Sequence, residues 1–290
     1  MMLPRLSQGS AEMEKLDQLV WAGGFSFRAY GLRIGIRTNS ADVLALVKRR
    51  LPITWKPSRS PVVDNLYSVV KPRAKGKRTG PQFNILYKGS EMFARSTDLI
   101  EVLSELEIDL HSYIATATLQ RMFLHAGVVG WNGKAIVIPG KNFSGKTSLV
   151  TAFLRAGATY YSDEFAVLDS RGRVHPYPWA LHIREGLAQP KAFPVEMLGA
   201  RAGTKPLPVG VVILSEYRRG AKWRPRRVTR GQAALAMLDR VMSKRHQPGA
   251  MLPALGQMVS GATVLKGTRG EAKEVVESVL QKFVDSVKID

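Results

Sequence analysis

Between residues 97 and 124 apolar side chains recur every three or four positions: Leu99, Ile100, Leu103, Leu106, Ile108, Leu110, Tyr113 and Ile114. That spacing predicts one long helix, broken near Ile108-Asp109, that links two halves of different character. The first half, residues 1–96, reads as an α+β module of undefined role. A short amphipathic helix is predicted over 11–20, and strands over 25–30 and 32–37 with a break at Gly31. Ser40-Ala41-Asp42 should cap a helix through Lys48, and further strands are expected over 62–70 and 83–88. Lys88-Gly89-Ser90 marks a hairpin turn into Glu91-Met92-Phe93-Ala94.

The second half, residues 97–290 with 97–124 as the linking helix, alternates strands and helices. Runs at 126–131 and 135–138 flank Asn132-Gly133, the dipeptide favoured in type I′ hairpins. A helix is predicted over 147–154, ending at Gly157, and a strand over 159–169 interrupted by Asp163-Glu164. A strong strand follows at 209–214, then a helix over 229–242, a strand over 262–265 and a terminal helix over 271–287. The expected fold class is α/β (α+β): an N-terminal α+β module and a C-terminal domain with a mixed sheet.

The chemistry enters at Gly140-Lys141-Asn142-Phe143-Ser144-Gly145-Lys146-Thr147, which spells GxxxxGK[ST], the phosphate-binding loop. Backbone N–H groups must wrap the phosphates, so the loop needs glycine at both ends. Lys146 supplies charge to the β- and γ-phosphates, Thr147 offers a hydroxyl to Mg²⁺, and Ser148 extends the loop into a helix whose positive end faces the same anion. The strand Ala135-Ile136-Val137-Ile138-Pro139 before it and the helix after it are the context the motif requires. The implied ligands are ATP or GTP with Mg²⁺.

The 290 residues carry a formal net charge of +20, are 45% apolar and contain no cysteine. Disulfides and thiolate chemistry are excluded, and a reducing cytoplasm is the expected setting. Neither an apolar run of membrane-spanning length nor a secretory leader is read, so no membrane partner is expected. The charge is unevenly spread: residues 101–200 hold 9 Lys/Arg and 9 Asp/Glu, whereas residues 201–250 hold 12 and 2. The densest basic segments, 71–78 and 218–227, are candidate surfaces for an anionic partner, with a solvated basic loop as the alternative.

His125-Ala126-Gly127 opens the hairpin, the glycine loop follows, and Ser162-Asp163-Glu164 ends the strand after the loop helix. This order and spacing resemble the catalytic domain of HPr kinase/phosphorylase and its related kinases, whose phosphate loop is of the phosphoenolpyruvate carboxykinase type. The resemblance covers roughly residues 120–180 and leaves out residues 1–95. It implies that Lys146 binds the β/γ-phosphates, that Thr147, Asp163 and Glu164 hold the metal, that Asp163 serves as general base on an acceptor hydroxyl, and that His125 sits near the transferred phosphate. It also implies self-association into a homo-oligomer. Two departures stand out: Ser148 replaces the glutamate that follows the loop in that family, and Glu164 replaces its second aspartate. An acceptor other than HPr is therefore expected. Arg184, Arg218 and Arg219 are further candidates for phosphate or acceptor contacts, and Trp223 for stacking on a base.

Three readings follow: an ATP- and Mg²⁺-dependent kinase acting on a hydroxyl of a protein, peptide or small molecule; a nucleic-acid-binding NTPase; and a nucleotide-binding regulator without turnover. Asp163 separates the first from the others, since transfer to a hydroxyl requires a base.

Overall fold

The computed structural model describes residues 3, 5–6, 11–52, 54–72, 80–141, 144–183, 191–242 and 248–287. The chain is an α/β fold of helices and mixed sheets. It divides into two compact units, Met1–Thr118 and Leu119–Asp290. Among the described residues no helix is long and apolar enough to cross a membrane.

The first unit contains β1 (Arg5–Leu6), α1 (Ala11–Asp17), β2 (Gly23–Ala29), β3 (Leu32–Thr38), α2 (Ala41–Lys48), β4 (Lys56–Ser58), β5 (Val62–Val63), β6 (Asn65–Val70), β7 (Asn84–Lys88), β8 (Glu91–Ser96) and α3 (Leu99–Ala117). Six strands form one sheet in the order β4-β2-β3-β6-β7-β8. Tyr30 and Gly31 turn β2 into β3 with φ of 50° and 83°, the left-handed pair that a tight hairpin needs. Ser40 precedes α2 as expected, but its hydroxyl donates to Asp42 instead of accepting from the helix backbone.

Helix α3 differs from the expectation in three ways. It runs without a break through Ile108-Asp109, because Tyr67 Oη donates to Asp109 Oδ2 at 2.6 Å and Lys88 Nζ lies 2.8 Å from the same oxygen, which satisfies the carboxylate inside the helix. It ends at Ala117 and not near residue 124, since Thr118 turns extended (ψ 144°) and Met122 begins a strand. Finally, it packs on β7 and β8, so it belongs to the first unit; the boundary falls after Thr118, not after residue 96.

The second unit contains β9 (Met122–Trp131), β10 (Lys134–Pro139), α4 (Lys146–Arg155), β11 (Thr159–Ser162), β12 (Phe165–Leu168), β13 (Val174–His175), β14 (Leu181–Ile183), β15 (Lys191–Phe193), β16 (Val209–Tyr217), β17 (Arg226–Arg227), α5 (Arg230–Met237), α6 (Pro248–Met258), β18 (Thr263–Arg269) and α7 (Ala272–Val287). The main sheet runs β13-β12-β9-β10-β16-β18-β17, with β11 also paired to β9. Asn132 and Gly133 make the predicted left-handed turn between β9 and β10. β10 is antiparallel to β9 on one side and parallel to β16 on the other, and β16 is parallel to β18. The carboxyl ends of β10, β16 and β18 therefore share one edge, the end of an α/β sheet where ligands bind.

Buried apolar side chains fill both faces of this sheet. Leu149, Val150, Phe153 and Leu154 of α4 pack with Val275, Val276 and Val279 of α7 on one face, and Ala233, Met237, Leu255 and Met258 of α5 and α6 cover the other. The helix predicted over 229–242 is shorter than expected. α5 stops at Met237, Leu238–Arg240 form a single 3-10 turn, and Val241 is extended (ψ 124°) because it bridges Leu124 of β9.

Candidate active site

β9 is the spine of the site. β12 pairs with its first half, Phe165 opposite His125, and β11 pairs with its second half, Ser162 opposite Val128. Asp163 and Glu164 are the two residues left between these strands, so they bulge out at the height of His125. Ala126 N–H donates to Glu164 O at 3.0 Å, and Ser162 Oγ accepts from the N–H groups of Glu164 (3.2 Å) and Phe165 (3.0 Å). The bulge is thus satisfied by a buried serine hydroxyl, and it turns two carboxylates toward the sheet edge.

On the other side of β9, Pro139 ends β10 opposite Ala126, and Gly140 N–H donates to His125 O at 3.3 Å. The glycine loop starts there. A Cβ on Gly140 would lie 2.3 Å from Ser144 Oγ, so the loop closes tightly only because the residue is glycine. Gly145 has φ of 80° and occupies the N-cap of α4. A Cβ on Gly127 would lie 2.6 Å from Val150 Cγ2, so α4 seats directly on β9 through that glycine.

Lys146 is 6% exposed. Its Nζ donates to Lys141 O at 3.0 Å and stands 3.0 Å from His125 Nε2. The same imidazole nitrogen is 2.9 Å from Glu164 Oε1. It can accept from the ammonium or donate to the carboxylate, but not both in one tautomer. Burial pushes the Lys146 pKa below the ordinary lysine range, Glu164 and Asp163 pull it back up, and Arg240 pushes it down again. The site therefore holds a cation that gains from an incoming anion.

Asp163 is also 6% exposed. Tyr160 Oη lies 3.0 Å from Asp163 Oδ1 and 2.7 Å from Trp179 O, so its one proton is shared between two acceptors. Burial, with the Asp163 charge second, raises the Tyr160 pKa, so the phenol remains a neutral donor. Thr147, half-buried, and Ser148, exposed, lie in the first turn of α4.

The structure thus brings together His125, Lys141, Ser144, Gly145, Lys146, Asp163 and Glu164. Asn142, Phe143, Arg184 and the basic stretch 73–78 lie outside the described residues. Arg218 and Arg219 are exposed just past β16, on the sheet edge where the loop begins, and Arg218 N–H donates to Arg269 O at 2.9 Å. Trp223 is 8% exposed and packs in the core with Leu265 and Val275, so it is no stacking platform. His175 lies 2.9 Å from Asp169 Oδ2, in a separate pair with its own ionic partner.

Among the described residues no group of three or more His, Cys, Asp or Glu side chains forms a metal cluster. Thr147, Asp163 and Glu164 nevertheless offer one hydroxyl and two carboxylates, an oxygen-only set that fits Mg²⁺, which takes few protein ligands and completes its shell with phosphate and water. The contacts of Tyr160, Arg240 and Arg269 are written in no motif, and Ser162, which the sequence marks only as the residue before the carboxylates, accepts from both N–H groups of the bulge. Only Ser162, directly before the carboxylates, and Tyr160, three residues before Asp163, are within reach of local pattern. No known family model matches the chain, and no curated protein matches it.

Proposed function

We propose that the second unit is a nucleoside triphosphate-dependent kinase that transfers a phosphoryl group to a hydroxyl on a protein, peptide or small molecule. One observation carries the reading: the ammonium of Lys146, at the glycine loop, shares His125 Nε2 with Glu164, while Asp163 stands beside it on the same bulge. A phosphate loop alone serves many NTPases; a loop lysine adjoining two carboxylates and an imidazole provides both the clamp and the base that transfer to a hydroxyl needs.

In this mechanism Lys146 and the loop N–H groups hold the triphosphate. The acceptor oxygen attacks the γ-phosphorus, its proton passes to the Asp163 carboxylate, and the bond to the β-bridging oxygen breaks, leaving the nucleoside diphosphate with that electron pair. Tyr160, donating to Asp163, fixes the carboxylate's orientation. Mg²⁺, when bound through Thr147 and the carboxylates, would neutralise phosphate charge. His125 meets Lys146 before nucleotide arrives and yields it to the phosphates afterwards.

A second reading, a polyanion-dependent NTPase, is favoured by the exposed Arg218 and Arg219 on the same sheet edge. Incubation with γ-labelled ATP and candidate acceptors, read by mass spectrometry, separates the two. Phosphorylated acceptor that disappears in Asp163→Asn, by about 10²–10⁴ in rate, supports the kinase. Phosphate released only to water, and stimulated by polyanion, supports the NTPase.

A further inference from the structure

The glycine loop is faced by a second cation. We infer that Arg240 is a phosphate-contacting residue of this site, directed to the terminal phosphate of the nucleotide; the inference rests on the nucleotide-binding reading above. Arg240 ends the 3-10 turn after α5, in a stretch that sequence periodicity assigns to the helix over 229–242.

Three contacts bring that turn to the loop. Val241 bridges Leu124 in antiparallel register, and Met242 N–H donates to Phe123 O at 2.8 Å. Arg240 directly precedes the bridged Val241, as His125, whose ring meets Lys146 Nζ, directly follows the bridged Leu124. Asp239 Oδ2 lies 3.7 Å from Lys141 Nζ, on the loop itself. That exposed pair is weak in energy, but it marks how close the two segments run.

The guanidinium is held and incompletely used. Its Nη1 donates to Asp239 Oδ1 at 2.5 Å and to Ala236 O, which fixes the head group at the carboxyl end of α5. Its Nε is shut off from solvent and has no acceptor among the described residues. Capping a helix end accounts for Nη1 alone, and a lysine would do it as well. Lys146 and Arg240 are moreover like charges close enough to act on one another. A phosphate between them offsets both charges and can accept from the guanidinium edge that Asp239 and Ala236 leave uncapped. The planar fork of arginine, always charged, suits a phosphoryl oxygen better than a lysine does.

Calorimetric titration of the full chain with Mg-ATP and with Mg-ADP tests this, with thermal melting to check that each variant is folded. Arg240→Ala should weaken ATP binding about ten-fold, the scale of one charge-assisted contact, and leave ADP binding within about two-fold. Lys146→Ala should weaken both. Arg240→Lys should recover only part of the ATP preference. Should Arg240→Ala fail to fold, Arg240→Lys against Arg240→Gln carries the same comparison. Wild-type protein that binds neither nucleotide overturns the nucleotide-binding reading itself. Wild-type protein that binds both, with Arg240 variants losing ATP and ADP equally or losing neither, overturns the assignment of Arg240 alone.

Discussion

Arg269, at the end of β18, donates through Nη2 to the carbonyl of Gly145 at 3.0 Å, and so grips the glycine loop from beneath. Its side chain is 2% exposed, its Nη1 donates to Gly270 O at 3.0 Å, and burial lowers its pKa from the ordinary arginine value. Tyr217 of the neighbouring strand faces the guanidinium, 5.3 Å from ring centroid to Cζ. The loop is thus braced by a strand 124 residues away.

That brace leaves no room at Gly145. A Cβ there would lie 2.2 Å from Arg269 Nη2, on a backbone already at φ 80°. Gly145→Ala should cost about 1–2 kcal/mol for the left-handed backbone before any clash is counted. Arg269→Ala should destabilise by about 1–3 kcal/mol, because Gly145 O and Gly270 O each lose a charge-assisted donor and Gly145 O keeps only the helical N–H of Leu149, and it should weaken nucleotide binding without touching the ligand. Chemical denaturation and calorimetry together check both, and Arg269→Lys should restore stability more fully than Arg269→Ala. Nucleotide affinity indifferent to Arg269 would remove it from the positioning role.

Lys146 makes a pH-dependent prediction. Burial lowers its pKa, so the folded protein without ligand holds the ammonium proton less firmly than the unfolded chain does and gains stability as pH rises through that lowered value toward the ordinary one. Phosphate favours the ammonium, so binding should take up protons and weaken as pH rises, beginning below the ordinary lysine value of about 10.4. Titration in buffers of different ionisation enthalpy measures the uptake. Lys146→Arg, charged throughout, should abolish the pH dependence whatever it does to affinity.

Asp169 predicts an acid limb of stability that is unrelated to the site. Burial alone would raise its pKa, but His175, Arg173 and the N–H groups of Arg173 and Arg171 outweigh it and hold the carboxyl at about 2, against 3.8 in an unfolded chain. The stability this supplies is complete above the unfolded value and lost as pH falls toward 2. Asp169→Asn should lower stability by about 1–3 kcal/mol at neutral pH, with the difference from wild type vanishing at the acid end. Urea unfolding over a pH series reads this directly.

The basic edge formed by Arg218, Arg219, Arg224, Arg226, Arg227 and Lys266 is exposed, with Arg226 and Arg227 on β17 paired to β18. A nucleic-acid partner should give a log–log salt slope of about −0.9 per phosphate contact on duplex DNA, and charge reversal at Arg226 and Arg227 should flatten it. An acidic protein acceptor should show salt sensitivity without preference for DNA or RNA over heparin. Gel-shift titration at two salt concentrations distinguishes them, and no retention of any polyanion at low salt would assign these arginines to a solvated edge.

Much of the site was legible because its signals are local. The glycine loop, the Asn132-Gly133 turn and the strand interrupted at Asp163-Glu164 each depend on the backbone conformation of adjacent residues, which residue type governs directly. The extended helix at either end was misjudged for the converse reason. Apolar spacing continues through Leu119–Leu124 and through Leu238–Met242, and spacing cannot distinguish a helix face from a segment recruited by a strand. At both places β9 wins: Met122 to Leu124 pair with β12 on one side, and Val241 bridges Leu124 on the other.

By itself, then, the sequence determined the glycine loop, the carboxylates behind it and the histidine before it, since the loop follows the end of β10, the carboxylates follow the end of β11, and the histidine lies on β9, the strand that β10 turns back along. Only the tertiary structure decided that Arg269 braces Gly145, that Val241 beside Arg240 bridges Leu124 and that one imidazole nitrogen lies within reach of both Lys146 and Glu164. Those contacts join segments up to 124 residues apart, and their register is set by strand pairing, a property of the assembled sheet that no single stretch of residues carries.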